Sequence, residues 1–471
     1  MLDYLFPPKP YFNKLNARLA SLFSLIFLAI LIVGSSAESR SFSPGNDMSA
    51  IEAKEPKVSP EKRNKSIKDF FLFGDYIHKN NIKTVLFNRK GFEMTPPLIR
   101  MESGEKLVLR FDDLDADYKN YYYTIIHCDA HWQPSPIEQY EYIEGFYEEQ
   151  IREYSYSINT RVPFTHYRLE IPSPDLRPTK SGNYILKVFL NGDRENVVLT
   201  RRFMIFEQQI QIEGQVRQAE LVRYRDTKQQ LNFAINSPNY RIDNPFQDLR
   251  VVITQNGRWD NAIKDLPPRS VRGNQLIYDY DEETLFEAGN EFREFDIRSL
   301  RHLSARLADI TTSPRHNDVF LLPDQIRKYR RYTSREDING RFQVKTFDAN
   351  DNMLEADYAH VHFRLPMETP LASGGIYVLG ELTDWRFSEE NKMSYNYPEK
   401  EYELELLLKQ GYYNYHYAFL DEGETAATVD LIEGSHFETE NDYSIFVYHR
   451  RPGSLYDRLI GIKHLNSSLP R

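Results

Sequence analysis

The sequence predicts an all-β chain: tandem immunoglobulin-like β-sandwich domains behind a cleaved signal peptide. Three observations predict it. Aromatics reach 14%, with 32 Tyr and 29 Phe, a bias that suits strands over helices. Short runs alternate apolar and polar residues with period two. Turn residues separate these runs at close spacing, and no long 3.6-residue period appears. The 471 residues suffice for two to four domains. A content of 41% hydrophobic and 27% charged residues is globular and excludes wholesale disorder. Formal net charge is −10, so no basic surplus exists to neutralise phosphates, and a nucleic-acid partner is disfavoured.

Residues 1–37 read as a signal peptide. Lys9, Lys14 and Arg18 form a positive start offset only by Asp3, Leu19 to Val33 is apolar, and Gly34, Ser35, Ser36 and Ala37 supply small residues before a cut. An uncleaved anchor is the competing reading, but the apolar run falls short of the ~20 residues that normally span a bilayer. Cleavage after Ala37 leaves 434 residues carrying −12. Mean hydropathy of −0.60 is that of a soluble protein, and the strands lack the apolar outward face of a membrane barrel. Cys128 is the one cysteine and lies far from the apolar run, which excludes lipidation directly after it and any internal disulfide. Export without disulfide or lipid fits the periplasm, with extracellular release as the other option.

Residues 38–68 are rich in Ser, Pro, Lys and Glu and read as a flexible linker. A first sandwich is expected over 69–207. Ile82 to Phe87, Lys106 to Phe111, Tyr121 to His127, Tyr184 to Leu190 and Val197 to Phe206 are its strands, and Asn191, Gly192 and Asp193 mark a hairpin. A second is expected over 208–350, from Gln209 to Val216, Gln230 to Ile235, Leu249 to Gln255, Asn274 to Tyr280, Phe292 to Ile297 and Phe342 to Phe347. A third is expected over 351–466, with strands Tyr358 to Leu365, Ile376 to Leu379, Tyr402 to Leu408, Tyr412 to Phe419 and Tyr443 to Tyr448. Tyr413, Tyr415, Tyr417 and Phe419 alternate cleanly there. Open sandwiches keep exposed edge strands, so several segments are free to pair with a partner.

Few residues suggest chemistry. Asp113, Asp115 and Asp117 have the alternating spacing of calcium ligands, but the glycine and distal glutamate of an EF-hand loop are missing, and solvated turn carboxylates are the simpler reading. His127, Cys128, Asp129 and His131 crowd ligand types together. Neighbours on a strand point to opposite faces, and no second cysteine completes a zinc site. Cys128 reads as a small buried residue. No GxSxG, HExxH, P-loop or GxGxxG motif occurs. No catalytic, cofactor-binding or metal residue is therefore assigned, no cofactor or small-molecule substrate is expected, and no enzyme activity is inferred.

Gly380, Glu381, Leu382, Thr383, Asp384 and Trp385, with the strands to Phe419, resemble the early-set sandwich that binds glycogen in kinases and branching enzymes. That resemblance implies a Trp385 that stacks on sugar, but no second platform follows it, and a core anchor is preferred. A second resemblance spans residues 81–206. It rests on Ile82 to Val85, Arg89 to Gly91, Phe111 to Asp115, Lys119 to Tyr121, Tyr123 to Asp129 with Trp132, Tyr142 to Phe146, Thr165 to Arg168, Lys180 to Tyr184 and Leu199 to Phe203. This pattern resembles the N-terminal domain of the type IX secretion system plug protein. Asp337 to Gly340, Asn441 to Tyr448 and Tyr456 to Gly461 are similar to its later parts. The resemblance implies a non-enzymatic periplasmic plug on the inner face of the outer membrane, bound to the translocon barrel and sealing its periplasmic opening. The alternative is a periplasmic or surface glycan-binding protein.

Overall fold

The computed structural model describes residues 73–468. The expected signal peptide at 1–37 and linker at 38–68 lie outside the described residues. Within 73–468, period-two alternation gives strands with one apolar face, and these pair into three two-sheet sandwiches, each closed on its own hydrophobic cluster.

In the first sandwich one sheet runs Tyr76–Ile77, Val197–Phe206, Gly182–Leu190, Tyr121–Cys128 and Glu149–Gln150, with Leu98–Arg100 parallel to the second of these. The facing sheet runs Ile82–Arg89, Leu107–Asp113, Thr165–Ile171 and Glu153–Tyr156. Leu107, Leu109 and Phe111 meet Tyr123, Ile125, Tyr184, Leu186 and Val188 between them. The expected hairpin is present. Asn191 and Gly192 both take positive φ, +56° and +75°, as a tight two-residue turn between twisted strands requires. The strand Leu107–Asp113 outlasts its apolar alternation, so Asp112 and Asp113 lie in the sheet rather than in the acidic turn.

The second sandwich pairs Gln211–Gln218, Lys228–Asn236, Gln275–Tyr278 and Ser270–Arg272 against a sheet of Arg258–Ile263, Leu249–Gln255, Asp442–His449 and Arg458–Asn466. The third pairs Arg293–Asp296, Gly411–Leu420, Phe342–Val344 and Gly375–Leu379 against Leu307–Thr312, Asn317–Leu321, Tyr358–Pro366, Glu401–Lys409 and Ser394–Asn396.

These pairings overturn the expected division at 350/351. The strand Asp442–His449 lies full length against Leu249–Gln255 and turns Tyr443, Ile445 and Val447 into the second core, not the third. Conversely, Phe295 and Phe342 stack on Tyr413 with centroids 5.0 and 5.3 Å apart, which draws their strands out of the expected second domain into the third core. The second sandwich is discontinuous, and the third is inserted between its halves. The physical reason is that alternation marks a strand's buried face but not the sheet that will cover it.

Candidate functional site

Among the described residues, no group of three His, Cys, Asp or Glu is placed to hold a metal ion. The expected solvated turn of Asp113, Asp115 and Asp117 is corrected in part. Asp113 is fully buried, accepting from the Tyr121 hydroxyl at 2.9 Å, while Asp115 and Asp117 remain exposed. Lys119 occupies the centre of the trio, with Nζ 2.8 Å from Asp113 and 3.4 Å from Asp117 and also paired to Asp115. Burial alone would lower the Lys119 ammonium, but its hydrogen bonds to Asp113 and Asp115 hold it above the usual range.

The residues His127 to Trp132 form the seam between the first and second sandwiches. His127 and Cys128 point to opposite faces, as the strand period demands. His127 is buried, with Nδ1 2.8 Å from the Ser135 hydroxyl and Nε2 3.1 Å from the Ser181 carbonyl, and its ring meets Tyr456 edge-on at 5.5 Å. Burial pushes its pKa down to about 4, against a smaller upward pull from that carbonyl. Gly182 is required beside it: φ is +136°, and a Cβ there would sit 2.6 Å from His127 Nε2 and 2.9 Å from the Asp457 carbonyl. Cys128 is buried with Ile185, Met204, Val252, Phe446, Tyr448 and Leu459. The Ala130 amide donates to Asp457 at 2.9 Å, and His131 Nε2 lies 2.6 Å from Asp265. Trp132 and Trp259 meet edge-on at 5.1 Å, and the Arg202 guanidinium lies 4.5 and 5.5 Å from their ring centroids.

The motif around Trp385 forms part of the seam between the first and third sandwiches. Asp384 and Trp385 both adopt φ of +54°, a tight turn that aims Asp384 at Arg201, 3.1 Å away through both oxygens. Trp385 packs edge-on against Phe292 at 5.9 Å. Gly340 is its floor, since a Cβ there would lie 2.3 Å from the indole. This packing makes the indole an anchor within the third sandwich rather than a free stacking platform.

A second contact on this seam was not visible in the sequence. Lys409 Nζ lies 2.7 Å from Asp112 and 2.6 Å from the Met353 carbonyl, with both charged side chains at most 1% exposed. Asp112 also accepts from the Tyr358 hydroxyl at 2.7 Å and faces His166 Nδ1 at 2.7 Å. Burial by itself raises the Asp112 carboxyl, but Lys409 and His166 together hold it below the usual range. Asp357 reaches back to accept the Arg161 and Val162 amides at 2.9 and 3.2 Å. Beside this brace a cleft of about 600 Å³ opens between Lys83, Thr84 and Arg201 of the first sandwich and Glu381, Asp384 and Arg386 of the third. Burial pushes Glu381 up to about 6, opposed by Arg341 and the Phe342 amide. The charges here answer one another within the chain, so the arrangement fastens two sandwiches together.

Known proteins resemble this chain both in part and along most of its length. Residues 82–207 match the family described as the type 9 secretion system plug protein 1st domain. The crystal structure of a hypothetical protein from Parabacteroides merdae ATCC 43184 superposes with a TM-score of 0.81 at 35% identity, over 84% of this chain and 99% of that one. Salmonella alpha-2-macroglobulin reacted with methylamine is 10% identical with a TM-score of 0.16, over 84% of this chain and 24% of that chain, which carries no argument. No curated protein matches the chain. Asp112, Arg201 and Arg202, which are among the residues that brace the first sandwich to the other two, lie within the matched segment, and the chain belongs to the type IX secretion system plug protein family.

Proposed function

We propose that this chain is a non-enzymatic periplasmic plug that binds and seals the periplasmic opening of the outer-membrane translocon barrel of the type IX secretion system. Its family supports the association with that system. The observation that carries the reading is mechanical. Sealing a wide pore needs bulk that resists deformation, and here three sandwiches are cross-braced by buried groups. Lys409–Asp112 and Arg201–Asp384 hold the third sandwich to the first, and Arg202, packed against the Trp132–Trp259 pair, holds the second. A rigid body docks without a large ordering cost, so its buried area converts more fully into affinity. A stable seal would bury more than ~1,000 Å². Because the mature chain is expected to carry −12, the binding is partly electrostatic and weakens with salt.

The test is conductance. The translocon is reconstituted in a planar bilayer and the purified chain is added from the periplasmic side. Open-pore current should fall in proportion to occupancy and recover in high salt. Unchanged current at saturating protein would overturn the proposal.

A further inference from the structure

The strand Glu153–Tyr156 is the only one among the described residues in which every residue is exposed. It ends the sheet that begins at Ile82–Arg89, and among the described residues only Thr165–Ile171 pairs with it. The Ser157 amide donates to the Phe164 carbonyl at 2.9 Å. In the alternation of an antiparallel pair, residues 153, 155 and 157 therefore turn their backbone groups inward, and Tyr154 and Tyr156 turn theirs out, toward no partner among the described residues, until the Ile158 amide donates to the Leu354 carbonyl at 2.9 Å.

The side chains continue the same opening. In the core Phe111 stacks on Tyr167 and Tyr121 meets both edge-on, with centroids 4.7–5.2 Å apart. Tyr154, directly opposite Tyr167, carries this row outward at 6.0 Å to Tyr118 and Tyr156, which lie 4.8 and 5.8 Å from it. These three tyrosines are 40–51% exposed because the facing sheet stops at the two-residue strand Glu149–Gln150. The aromatic layer is thus unfinished at this edge. Charge concentrates here too. Asp115 and Asp117 are exposed beside Tyr118, and Glu153, at the start of the strand, is paired to Arg168 at 2.6 Å. Beside Tyr118, Lys119 alone answers Asp113, Asp115 and Asp117.

We infer that Glu153–Tyr156 is a docking edge that takes an extended, Lys- or Arg-bearing segment of the partner as an added strand. The outward N–H and C=O groups of Tyr154 and Tyr156 bind its backbone, its alternate apolar side chains finish the tyrosine row, and its cations meet the acidic surround. The inference deepens the plug reading and rests on it for the partner, the translocon.

Amide hydrogen exchange with purified translocon is the test, together with a binding titration. On complex formation the Tyr154 and Tyr156 amides should slow at least tenfold, while Ser155, already paired, changes little. Tyr156→Pro removes an outward N–H without breaking a bond to Thr165–Ile171 and should weaken binding at least tenfold. Binding should also fall at least tenfold between 50 and 500 mM salt. If wild type binds but the two amides exchange as before, this inference is overturned and the plug reading stands; if binding ignores salt, this inference is overturned and the plug reading loses its electrostatic part. If wild type does not bind, both are overturned. The exchange measurement uses wild type and so holds even if the proline variant folds poorly.

Discussion

The first sandwich meets its two neighbours through seams of different balance, one mainly ionic and one mainly apolar. Toward the third it presents buried charge: Asp112, backed by His166 of its own sheet, to Lys409, and Arg201 to Asp384. Toward the second it presents mainly an apolar layer, Cys128, Ala130, Ile185 and Met204 against Val252, Phe446, Tyr448 and Leu459, with His131–Asp265 and Glu207–Arg458 at its margin. Apolar layers stabilise through area and tolerate small shifts. A buried ion pair adds little net stability over an apolar pair of the same volume, yet losing one member is severe, because the other charge stays in a dry site. The ionic seam therefore fixes orientation, and the apolar seam supplies most of the adhesion.

The largest expected effect breaks the ionic seam from one side. Lys409→Met takes the ammonium from Asp112, leaving only His166 and the Tyr358 hydroxyl beside it, and should cost about 4 kcal/mol in urea denaturation. Combining it with Asp112→Asn should restore more than half of that. Equal loss in single and double variants would erase the contrast between seams. On the apolar side, Leu459→Ala removes a fully buried side chain and should cost about 3 kcal/mol, with no single partner substitution able to rescue it.

The seams also titrate in opposite directions. His127, beside Tyr456 on the second-sandwich side, has its folded pKa depressed to about 4. The unfolded chain takes up its proton near pH 6.5 and the folded chain does not, so this contribution is complete above 6.5 and is lost as pH falls toward 4. It should amount to about 2 kcal/mol, seen as a shallower acid slope in His127→Asn. Glu381, in the cleft toward the third sandwich, is raised to about 6, so its contribution is present below 4.5 and is lost as pH rises through 6. Glu381 is partly exposed, which discounts the effect. Glu381→Gln should gain about 1 kcal/mol relative to wild type between pH 4.5 and 7.5, the smallest of the four effects.

Much of this was legible from local pattern. Tyr413, Tyr415 and Tyr417 alternate in the sequence and fill the third core, and Asn191–Gly192 turns where its residue types require. His127 and Cys128 could be placed on opposite faces from strand geometry alone. The braces could not be read so directly. Lys409 and Asp112 are 297 positions apart, and neither carries a local sign of the other. Arg201 and Arg202 were visible as part of the family pattern, but the pattern does not say that one meets Asp384 and the other lies over Trp132 and Trp259.

The amino-acid order alone determined that this chain makes β-strands, where most of them lie, and which face of each is apolar, because pleating ties those properties to neighbouring residues. Only the tertiary structure decided which strands share a sheet. Tyr443 to Tyr448 joined the second sandwich, while Phe295 and Phe342 joined the third. An apolar strand face accepts many covers of similar shape, and the choice among them depends on how the whole chain closes.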